Sequence, residues 1–193
     1  MRAGGFAARM SVQRLFTALV PPAVVRQELA AVAAPLTAVR WTPADNLHLT
    51  LRFIGDCDDA RRERIEAELA RVRVEPFVLP VGGLGVFPSR GPAKVLWAGV
   101  GPAHTRLFQL RKQVDEALLA EDLTLDVHHF QPHFTLGRIG ESYETKELAK
   151  FLARHAAFEA PPFRVAEFHL LASELRAGAA PVYRVVRTFP LAK

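Results

Sequence analysis

The sequence predicts an α+β fold that is duplicated, with mostly antiparallel pairing of its strands. The predicted elements follow the order strand, helix, strand, helix, strand, strand, helix, strand, helix, strand, strand, which is typical of this class. A short motif with His and Thr occurs once in each half of the chain. Half of the 193 residues are hydrophobic and 23% are charged, so the chain can bury a sizeable core.

Apolar runs bounded by Pro, Gly, Asn and Asp predict seven strands. They cover residues 12–20, 47–54, 77–81, 94–100, 163–171 and 182–189, together with a strand that begins after Pro132. A short extended piece lies at 39–41. Apolar residues at helical spacing predict four helices. These cover about 22–35, 60–72, 103–121 and 144–155.

Local chemistry justifies the ends of these elements in chain order. Pro21 and Pro22 end the first strand, and the second proline suits the first position of a helix, where its missing N–H is not needed. The pair Asp58-Asp59 supplies an N-cap and a negative first turn to the second helix. Glycines within 82–85 predict a bend or a bulge after the third strand. Pro132 biases the residue before it toward an extended backbone, which helps to start a strand.

Two octets carry the repeated motif. The octet His48–Gly55 has the sequence HLTLRFIG and the octet His133–Gly140 has the sequence HFTLGRIG, so they match at His, Thr, Leu, Ile and Gly. Side chains alternate between the faces of a strand, so each octet places its His and Thr on one face and Leu or Phe on the other. Two such strands that face each other would supply two imidazoles and two hydroxyls to one groove between two lobes.

This set of side chains suits acid–base chemistry on a phosphate ester. An imidazole has a pKa of about 6.5, so one His can be unprotonated while another is protonated near neutral pH. A base and an acid on opposite sides of a phosphorus atom can drive an in-line displacement, and Thr hydroxyls can donate to the non-bridging oxygens. A strained cyclic phosphate could open in this way without a metal. The main rival interpretation is the duplication of a purely structural strand, since Thr is a good strand former.

The other histidines do not predict a metal site. His128, His129 and His133 could be mistaken for a ligand cluster, but adjacent residues on an extended chain point to opposite faces, and no Cys or carboxylate pattern completes a site. We therefore predict no metal and no cofactor. Surface or structural roles are the default for the histidines without a partner motif, which are His104, His155 and His169.

Composition and the chain ends narrow the class of protein. The net charge of +5 attracts polyanions such as RNA at low salt. A genome composition that favours Arg and Ala codons would give a basic protein as well. No apolar run approaches the roughly 18 residues of a membrane span.

Residues 1–10 lack the apolar region of a secretory signal, and we interpret them as a flexible tail before a single bilobal domain over 11–193. The lone Cys57, in a predicted loop, fits a reducing cytoplasm.

The chain resembles the 2H phosphoesterase superfamily, which is named for its two His-x-Thr/Ser motifs. More specifically, it resembles the bacterial and archaeal RNA 2′,3′-cyclic phosphodiesterases of the LigT type, formerly called 2′-5′ RNA ligases. The likeness extends over nearly the whole chain from about Val12. The phrases with family counterparts stand in the same order and are Arg14–Ala18, Trp41–Leu51, Val95–Val100, Phe130–Arg138 and Leu171–Leu175.

The resemblance implies two lobes of antiparallel sheet with outer helices around a central groove. It implies hydrolysis of an RNA-terminal 2′,3′-cyclic phosphate to a 2′-phosphate without a metal. The reverse chemistry would join RNA ends, such as tRNA halves, through a 2′-5′ bond, and no obligate protein partner is expected. His48 would be the general acid (proton donor) and His133 the general base (proton acceptor). Thr50, Thr135 and Arg138 would bind the phosphate.

Strand parity disagrees with one of these implied roles. On a regular strand Arg138 would lie on the face opposite His133, unless Gly137 kinks the strand or ends it. For Arg52 the two arguments disagree in the opposite way. On a regular strand it would share the face of His48, but the resemblance implies no role for it. We interpret Arg52 as a solvated charge at the rim of the groove.

Two aromatic residues, Phe16 and Trp41, are candidates for stacking on RNA bases, as aromatic side chains do in proteins that bind single-stranded nucleic acid. The alternative for both is packing in the core.

Two rival functions stay open at this point. The first is a non-catalytic protein that binds RNA ends in the same groove, for which binding would depend on salt and survive loss of either His. The second is a 2H phosphodiesterase for a small cyclic nucleotide. Comparing a mononucleotide with an oligonucleotide end would separate the second from the leading hypothesis.

Overall fold

A computed structural model of the chain describes residues 12–36, 38–101, 105–121, 123, 129–174 and 180–193. The predicted tail over 1–10, most of the turn before the last strand, His104 and His128 lie outside the described residues. Within the described part the chain is α+β, as predicted. No helix there is long and apolar enough to cross a membrane.

The described residues form nine strands and four helices. The strands are β1 (Gln13–Leu19), β2 (Val39–Trp41), β3 (Leu49–Cys57), β4 (Phe77–Phe87), β5 (Val95–Val100), β6 (His133–Ile139), β7 (Glu159–Val165), β8 (Glu167–Glu174) and β9 (Val182–Pro190). The helices are α1 (Ala23–Ala31), α2 (Asp59–Leu69), α3 (Thr105–Leu119) and α4 (Thr145–Arg154). A 3-10 turn lies at Ala44–Asn46.

All nine strands belong to one antiparallel sheet with the order β7-β4-β5-β6-β3-β1-β8-β9, and β2 adds to β6. The order has four strands on each side of the junction between β6 and β3. Within each side the strands pair over many residues, but β3 and β6 share only the pair Leu49 and Phe134. The sheet is therefore closely paired within two lobes and opens between them, which confirms the predicted two-lobed architecture.

The lobes are not the two halves of the sequence. β8, from the end of the chain, pairs with β1, and β9 pairs with β8, so both strands complete the lobe of β3. The single strand predicted over 163–171 is therefore two strands that are divided at Ala166. β7 pairs with β4 at the edge of one lobe, and β8 pairs with β1 in the other. The chain crosses between the lobes at this point, which strand periodicity does not reveal because both segments are apolar.

The core lies between the sheet and the helices. In the two motif strands Leu49, Leu51, Phe134 and Leu136 are all at most 2% exposed. α2 packs on α3, and α3 packs on β3. The predicted alternation is thus confirmed at the motifs, because their apolar residues enter the core and leave the other face of the sheet to the groove. The Asp58 side chain caps α2 by accepting from the N–H of Arg61 at 2.8 Å, as its position predicts.

Two strands extend beyond their predicted ends. β3 continues through Gly55, whose φ of 92° suits glycine, to Cys57 opposite Gln13. Cys57 is therefore in a strand and not in a loop, and burial raises the pKa of its thiol. β4 likewise runs through the glycines of 82–85, and its register against β5 shifts between Val81 and Leu84, in agreement with the predicted bulge. A Cβ at Gly85 would lie 2.2 Å from the Trp97 ring, so this glycine lets the indole lie across the strand.

Candidate active site

The junction of the lobes brings the two motifs together. His48 stands immediately before β3, and His133 is the first residue of β6. Antiparallel continuation from the pair Leu49 and Phe134 sets His48 beside Thr135 and His133 beside Thr50. Thr50 and His133 line one open cleft of about 350 Å³. This register places the His of each motif opposite the Thr of the other motif, at the junction of the lobes.

The two imidazoles are held in the same way. His48 Nδ1 lies 2.7 Å from the carbonyl oxygen of Asn46, and His133 Nδ1 lies 2.7 Å from that of Gln131. A carbonyl oxygen only accepts, so each Nδ1 carries the proton that it donates. Nε2 is thereby left as the nitrogen that can give or take a proton in the groove. The Asn46 side chain also donates to the carbonyl of Pro181 at 2.8 Å, which ties this segment to the approach of β9.

Aromatic rings flank each imidazole. The His48 ring lies 5.0 Å from Phe16 and 4.9 Å from Tyr183, which meets it edge-on. The His133 ring lies 4.9 Å from Phe87, also edge-on, and 6.5 Å from Trp97. These rings orient the imidazoles and remove water from their sides. Sequence reasoning missed Tyr183 and Phe87, because neither lies near a motif and only the strand order brings them to the site.

Burial sets the proton affinity of both histidines. It lowers the pKa of His48, although the Asn46 carbonyl opposes this, and the charge of a protonated His133 lowers the pKa of His48 further. Burial also lowers the pKa of His133, against the hydrogen bond to Gln131. His48 therefore resists protonation while His133 is charged. A state with one neutral and one protonated imidazole is the arrangement that a base and an acid need.

A β-bulge turns Arg138 toward the groove. Trp97 lies opposite Thr135 but Leu96 lies opposite Gly137, so Leu136 is an extra residue in β6. The parity of the strand changes there, and Arg138 comes to the face of His133. The prediction from a regular strand is therefore wrong at this residue. Burial raises the pKa of Tyr183 and the charge of Arg138 opposes that rise, as expected if the guanidinium lies near the phenol beside His48.

The other motif has the same bulge, with a different result. Ala18 lies opposite Thr50 and Thr17 opposite Arg52, so Leu51 is the extra residue in β3. Arg52 leaves the groove face and forms a two-bond ion pair with Asp115 of α3, at 2.7 Å for each bond. The interpretation of Arg52 as a solvated rim charge is therefore wrong.

The carbonyl of Leu51, at the bulge, has its own partner. Arg111 of α3 donates to it at 2.7 Å and also bonds Asp115 at 3.1 Å. Arg52, Arg111 and Asp115 therefore form an ionic cluster directly behind the first motif. Sequence reasoning missed this cluster, although the spacing of Arg111 and Asp115 by four residues on a helix was a visible signal.

Both residues proposed for base stacking pack against other side chains of the protein. Phe16 is 2% exposed, because its ring lies beneath those of His48, Tyr183 and Phe53. Trp41 lies opposite Gly137 on the core face of β6, and its Nε1 donates to the Ala34 carbonyl at 3.1 Å. Its ring contacts Phe151 in the core. We correct both predictions to packing roles.

Two of the three remaining described histidines have local hydrogen-bond partners. His155 Nδ1 bonds the Phe151 carbonyl at 2.9 Å at the end of α4, and His169 is buried with Nδ1 3.1 Å from the Thr188 hydroxyl. His129 lines the cleft. Among the described residues, no three His, Cys, Asp or Glu side chains are grouped so as to hold a metal ion.

The chain matches known proteins over most of its length. The model of the LigT like Phosphoesterase family matches residues 19–97 and 100–180, and each segment contains one of the two motifs. The RNA 2′,3′-cyclic phosphodiesterase of Aeropyrum pernix is 32% identical over 163 residues, which are 84% of this chain and 90% of that protein. The protein of the same name from Archaeoglobus fulgidus is 30% identical over 179 residues, which are 91% of this chain and 99% of that protein.

Solved structures agree with this relationship. A crystal structure of a phosphoesterase superposes with a TM-score of 0.78 at 25% identity and covers 95% of this chain and all of that one. The crystal structure of E. coli LigT complexed with 3′-AMP superposes with a TM-score of 0.76, also at 25% identity and with the same coverage. The two motif segments and the two lobes thus have counterparts in sequence and in structure, and the chain belongs to the LigT-like phosphoesterase family.

Proposed function

We propose that this protein hydrolyses RNA-terminal 2′,3′-cyclic phosphates to 2′-phosphates by two-histidine acid–base catalysis, without a metal. The observation that carries the proposal is the pair of imidazoles in one groove, each with Nδ1 bonded to a backbone carbonyl and Nε2 left for chemistry. The relatives named RNA 2′,3′-cyclic phosphodiesterase support the substrate class.

The proposed reaction is a single in-line displacement at phosphorus. His133 Nε2 takes a proton from water as the water oxygen bonds to phosphorus. The bond from phosphorus to the 3′ oxygen breaks on the opposite side, and that oxygen receives a proton from His48 Nε2. Thr50 and Thr135 donate to the non-bridging oxygens, and Arg138 balances the negative charge that gathers on them. The product is a 2′-phosphate with a 3′-hydroxyl, and a proton shift between the imidazoles restores the enzyme.

The same groove admits an RNA 5′-hydroxyl in place of water. Attack by that hydroxyl on the cyclic phosphate, with the same leaving oxygen, would join two RNA ends by a 2′-5′ bond. Ends such as tRNA halves fit this chemistry, because each pair supplies one cyclic phosphate and one hydroxyl. Water and the 5′-hydroxyl compete for the position beside His133.

The test of the proposal is hydrolysis, in EDTA, of an oligoribonucleotide that ends in a 2′,3′-cyclic phosphate. Chromatography should resolve 2′-phosphate as the product, and no 3′-phosphate should form. Turnover that needs an added divalent ion, or a 3′-phosphate product, would overturn the proposed mechanism. Salt-dependent binding of an RNA end with a 2′-phosphate, without any turnover of the cyclic phosphate, would instead favour the alternative of a non-catalytic protein that binds RNA ends.

The pH profile tests the state of the imidazoles. Because burial lowers the pKa of both His48 and His133, we expect kcat/KM, which reports the free enzyme, to be greatest below about pH 6.5 and to fall as the pH rises. An anionic phosphate in the groove stabilises a protonated imidazole. The optimum of kcat, which reports the bound enzyme, should therefore lie at higher pH. An optimum of kcat/KM above about pH 7.5 would contradict the assignment.

A second cation supports an oligonucleotide as the substrate. Arg40 of β2 lies directly opposite Arg138 of β6, and both side chains are exposed. Like charges at opposed positions repel each other, and within the described residues no carboxylate forms an ion pair with either. The next phosphate along an RNA strand would relieve this repulsion.

We therefore expect Arg40→Ala to raise KM about tenfold for an oligonucleotide end and to leave the KM of a nucleoside 2′,3′-cyclic phosphate unchanged. The slope of log Kd against log salt for the oligonucleotide should fall by about 0.7. Arg164→Ala is the matched control, because Arg164 is an exposed cation on the edge strand β7. Equal effects on both substrates would favour the small cyclic nucleotide as the natural substrate.

A further inference from the structure

Arg111 of α3 is a buried cation that contacts the supports of both motifs. The residue is 8% exposed, and its Nε donates to the Asp115 carboxylate at 3.1 Å. Its Nη1 donates to the Leu51 carbonyl at 2.7 Å, and its guanidinium carbon lies 5.0 Å from the centroid of the Phe130 ring. Leu51 belongs to the first motif strand, and Phe130 leads into the second. A guanidinium suits this position, because it donates in its plane and stacks through its face.

The contact with Leu51 acts on the first motif. Leu51 follows Thr50 directly and is the extra residue of the bulge in β3, where the hydrogen-bond ladder of the strand is disrupted. The Leu51 carbonyl accepts from Arg111 at this point. A shift of this carbonyl would move the residue before it, so the direction of the Thr50 side chain depends on Arg111.

The contact with Phe130 acts on the second motif. Phe130 directly precedes Gln131, whose carbonyl oxygen lies 2.7 Å from His133 Nδ1. Phe130 and Gln131 precede β6 and lie outside the strand, so the position of this carbonyl depends on side-chain contacts. The Phe130 ring contacts the Arg111 guanidinium and meets the Phe108 ring edge-on at 5.7 Å. The orientation of the His133 imidazole therefore depends on how these contacts place Phe130.

The sheet contributes little to the placement of one motif against the other. β3 and β6 share the single pair Leu49 and Phe134, although strands within each lobe pair over many residues. α3 packs on β3, so Arg111 adds a second connection from β3 to the segment before β6. An in-line displacement needs the acid and the base on one axis through phosphorus, and a misplacement of about 1 Å can lower the rate about 10²-fold.

We infer that Arg111 is a positioning residue for the proposed reaction. Its guanidinium fixes the backbone beside Thr50 and, through Phe130, the carbonyl that orients His133. This inference rests on the proposed function and adds to it a residue outside the two motifs. Arg111 also lines the cleft, but its guanidinium is already occupied by the three contacts above. It therefore acts through these contacts and not by binding the substrate.

The first test compares Arg111→Lys with Arg62→Lys in hydrolysis of the oligoribonucleotide cyclic phosphate. Lysine keeps the charge beside Asp115 but has no planar face for Phe130. We expect kcat of Arg111→Lys to fall about 10- to 100-fold and KM to change less than about threefold, because the side chain does not bind the substrate. Arg62 is the matched control, since it forms ion pairs within α2, and its variant should keep the wild-type kcat.

The second test measures the tautomer of His133 without turnover. Long-range proton–nitrogen NMR spectra of protein with ¹⁵N-labelled histidine show which ring nitrogen carries the proton, at about pH 8 where free imidazoles are neutral. In wild type it should be Nδ1, as the bond to the Gln131 carbonyl requires. We expect Arg111→Met and Phe130→Leu to populate the form with the proton on Nε2, because the carbonyl is no longer fixed. His155 is the internal control, since it bonds a helix carbonyl in every variant.

A double variant tests whether Arg111 and Phe130 act together. Residues in contact have non-additive effects, so Arg111→Lys combined with Phe130→Leu should lower kcat little more than the larger single effect. A loss equal to the product of the two single effects would show that the residues act separately, and would overturn the inference.

Three other results would also overturn it. They are a wild-type kcat in Arg111→Lys, a KM that rises as much as kcat falls, and an unchanged His133 tautomer in Arg111→Met. Should Arg111→Met fail to fold, the spectra of Arg111→Lys and Phe130→Leu supply the same test. Failure of wild type to hydrolyse the cyclic phosphate would defeat the proposed function, whereas the spectra would still decide whether Arg111 orients His133.

Discussion

Replacing either His48 or His133 by Asn is expected to lower kcat for the cyclic phosphate in EDTA about 10²–10⁴-fold. Asn is the informative substitution, because its side-chain amide can keep a donor near the Asn46 or Gln131 carbonyl while Nε2 is lost. His155→Asn is the matched control, since that histidine bonds a helix carbonyl away from the groove. Either motif variant with more than about a tenth of wild-type kcat would rule out catalysis by that histidine.

The two variants should respond differently to a better leaving group. In a cyclic phosphate with sulfur in place of the 3′ oxygen, the thiolate leaves without a proton, so the acid is no longer needed. We expect this substrate to restore most of the activity of His48→Asn and little of that of His133→Asn, because activation of water still needs a base. The reverse pattern would exchange the roles of acid and base.

The motifs were predictable from the sequence because they depend on short-range geometry. The alternation of faces along a strand needs only neighbouring residues, and it correctly placed the His and Thr of each octet away from the apolar core. The same periodicity failed beyond the bulges. Arg52 and Arg138 both changed faces at an extra Leu, and no local pattern in the octets distinguishes a bulged strand from a regular one.

The aromatic residues show a second limit of sequence reasoning. Phe16 and Trp41 were proposed to stack on bases, but strand pairing buries Phe16 beneath the site and directs Trp41 to the core. Tyr183 comes from the last strand, which pairs with β8 in the His48 lobe. Which aromatic ring is exposed depends on how distant strands pair, and a single sequence does not contain that information in any local pattern.

The ionic cluster behind the first motif should be important for stability. The Asp115 carboxylate pairs with both Arg52 and Arg111, whose side chains are 12% and 9% exposed. We expect Asp115→Ala to lower the free energy of unfolding by about 3 kcal/mol, the lower end of the range for a broken buried pair, because the carboxylate itself is 23% exposed. The variant loses stability because two buried guanidinium groups lose their counter-charge together. Urea unfolding at fixed pH measures this change.

Two further variants separate charge from packing. Glu116→Ala removes the next carboxylate of α3, which forms an exposed pair with Lys112, and should cost less than about 0.5 kcal/mol. Replacing Arg52, Arg111 and Asp115 together by apolar residues should recover much of the stability, since no charge is left unpaired. If Asp115→Ala costs no more than Glu116→Ala, the cluster does not stabilise the fold.

The triple variant also separates stability from function. Arg111 satisfies the carbonyl of Leu51, and this bulge turns Phe53 toward the groove. A protein that has regained its stability without Arg111 should therefore still hydrolyse the cyclic phosphate more slowly than wild type, because the bulge directly follows Thr50. The cluster would then act on catalysis through the register of β3 and not through the stability of the fold. Unchanged kcat/KM for the cyclic phosphate in a stable triple variant would show that strand pairing alone maintains the bulge.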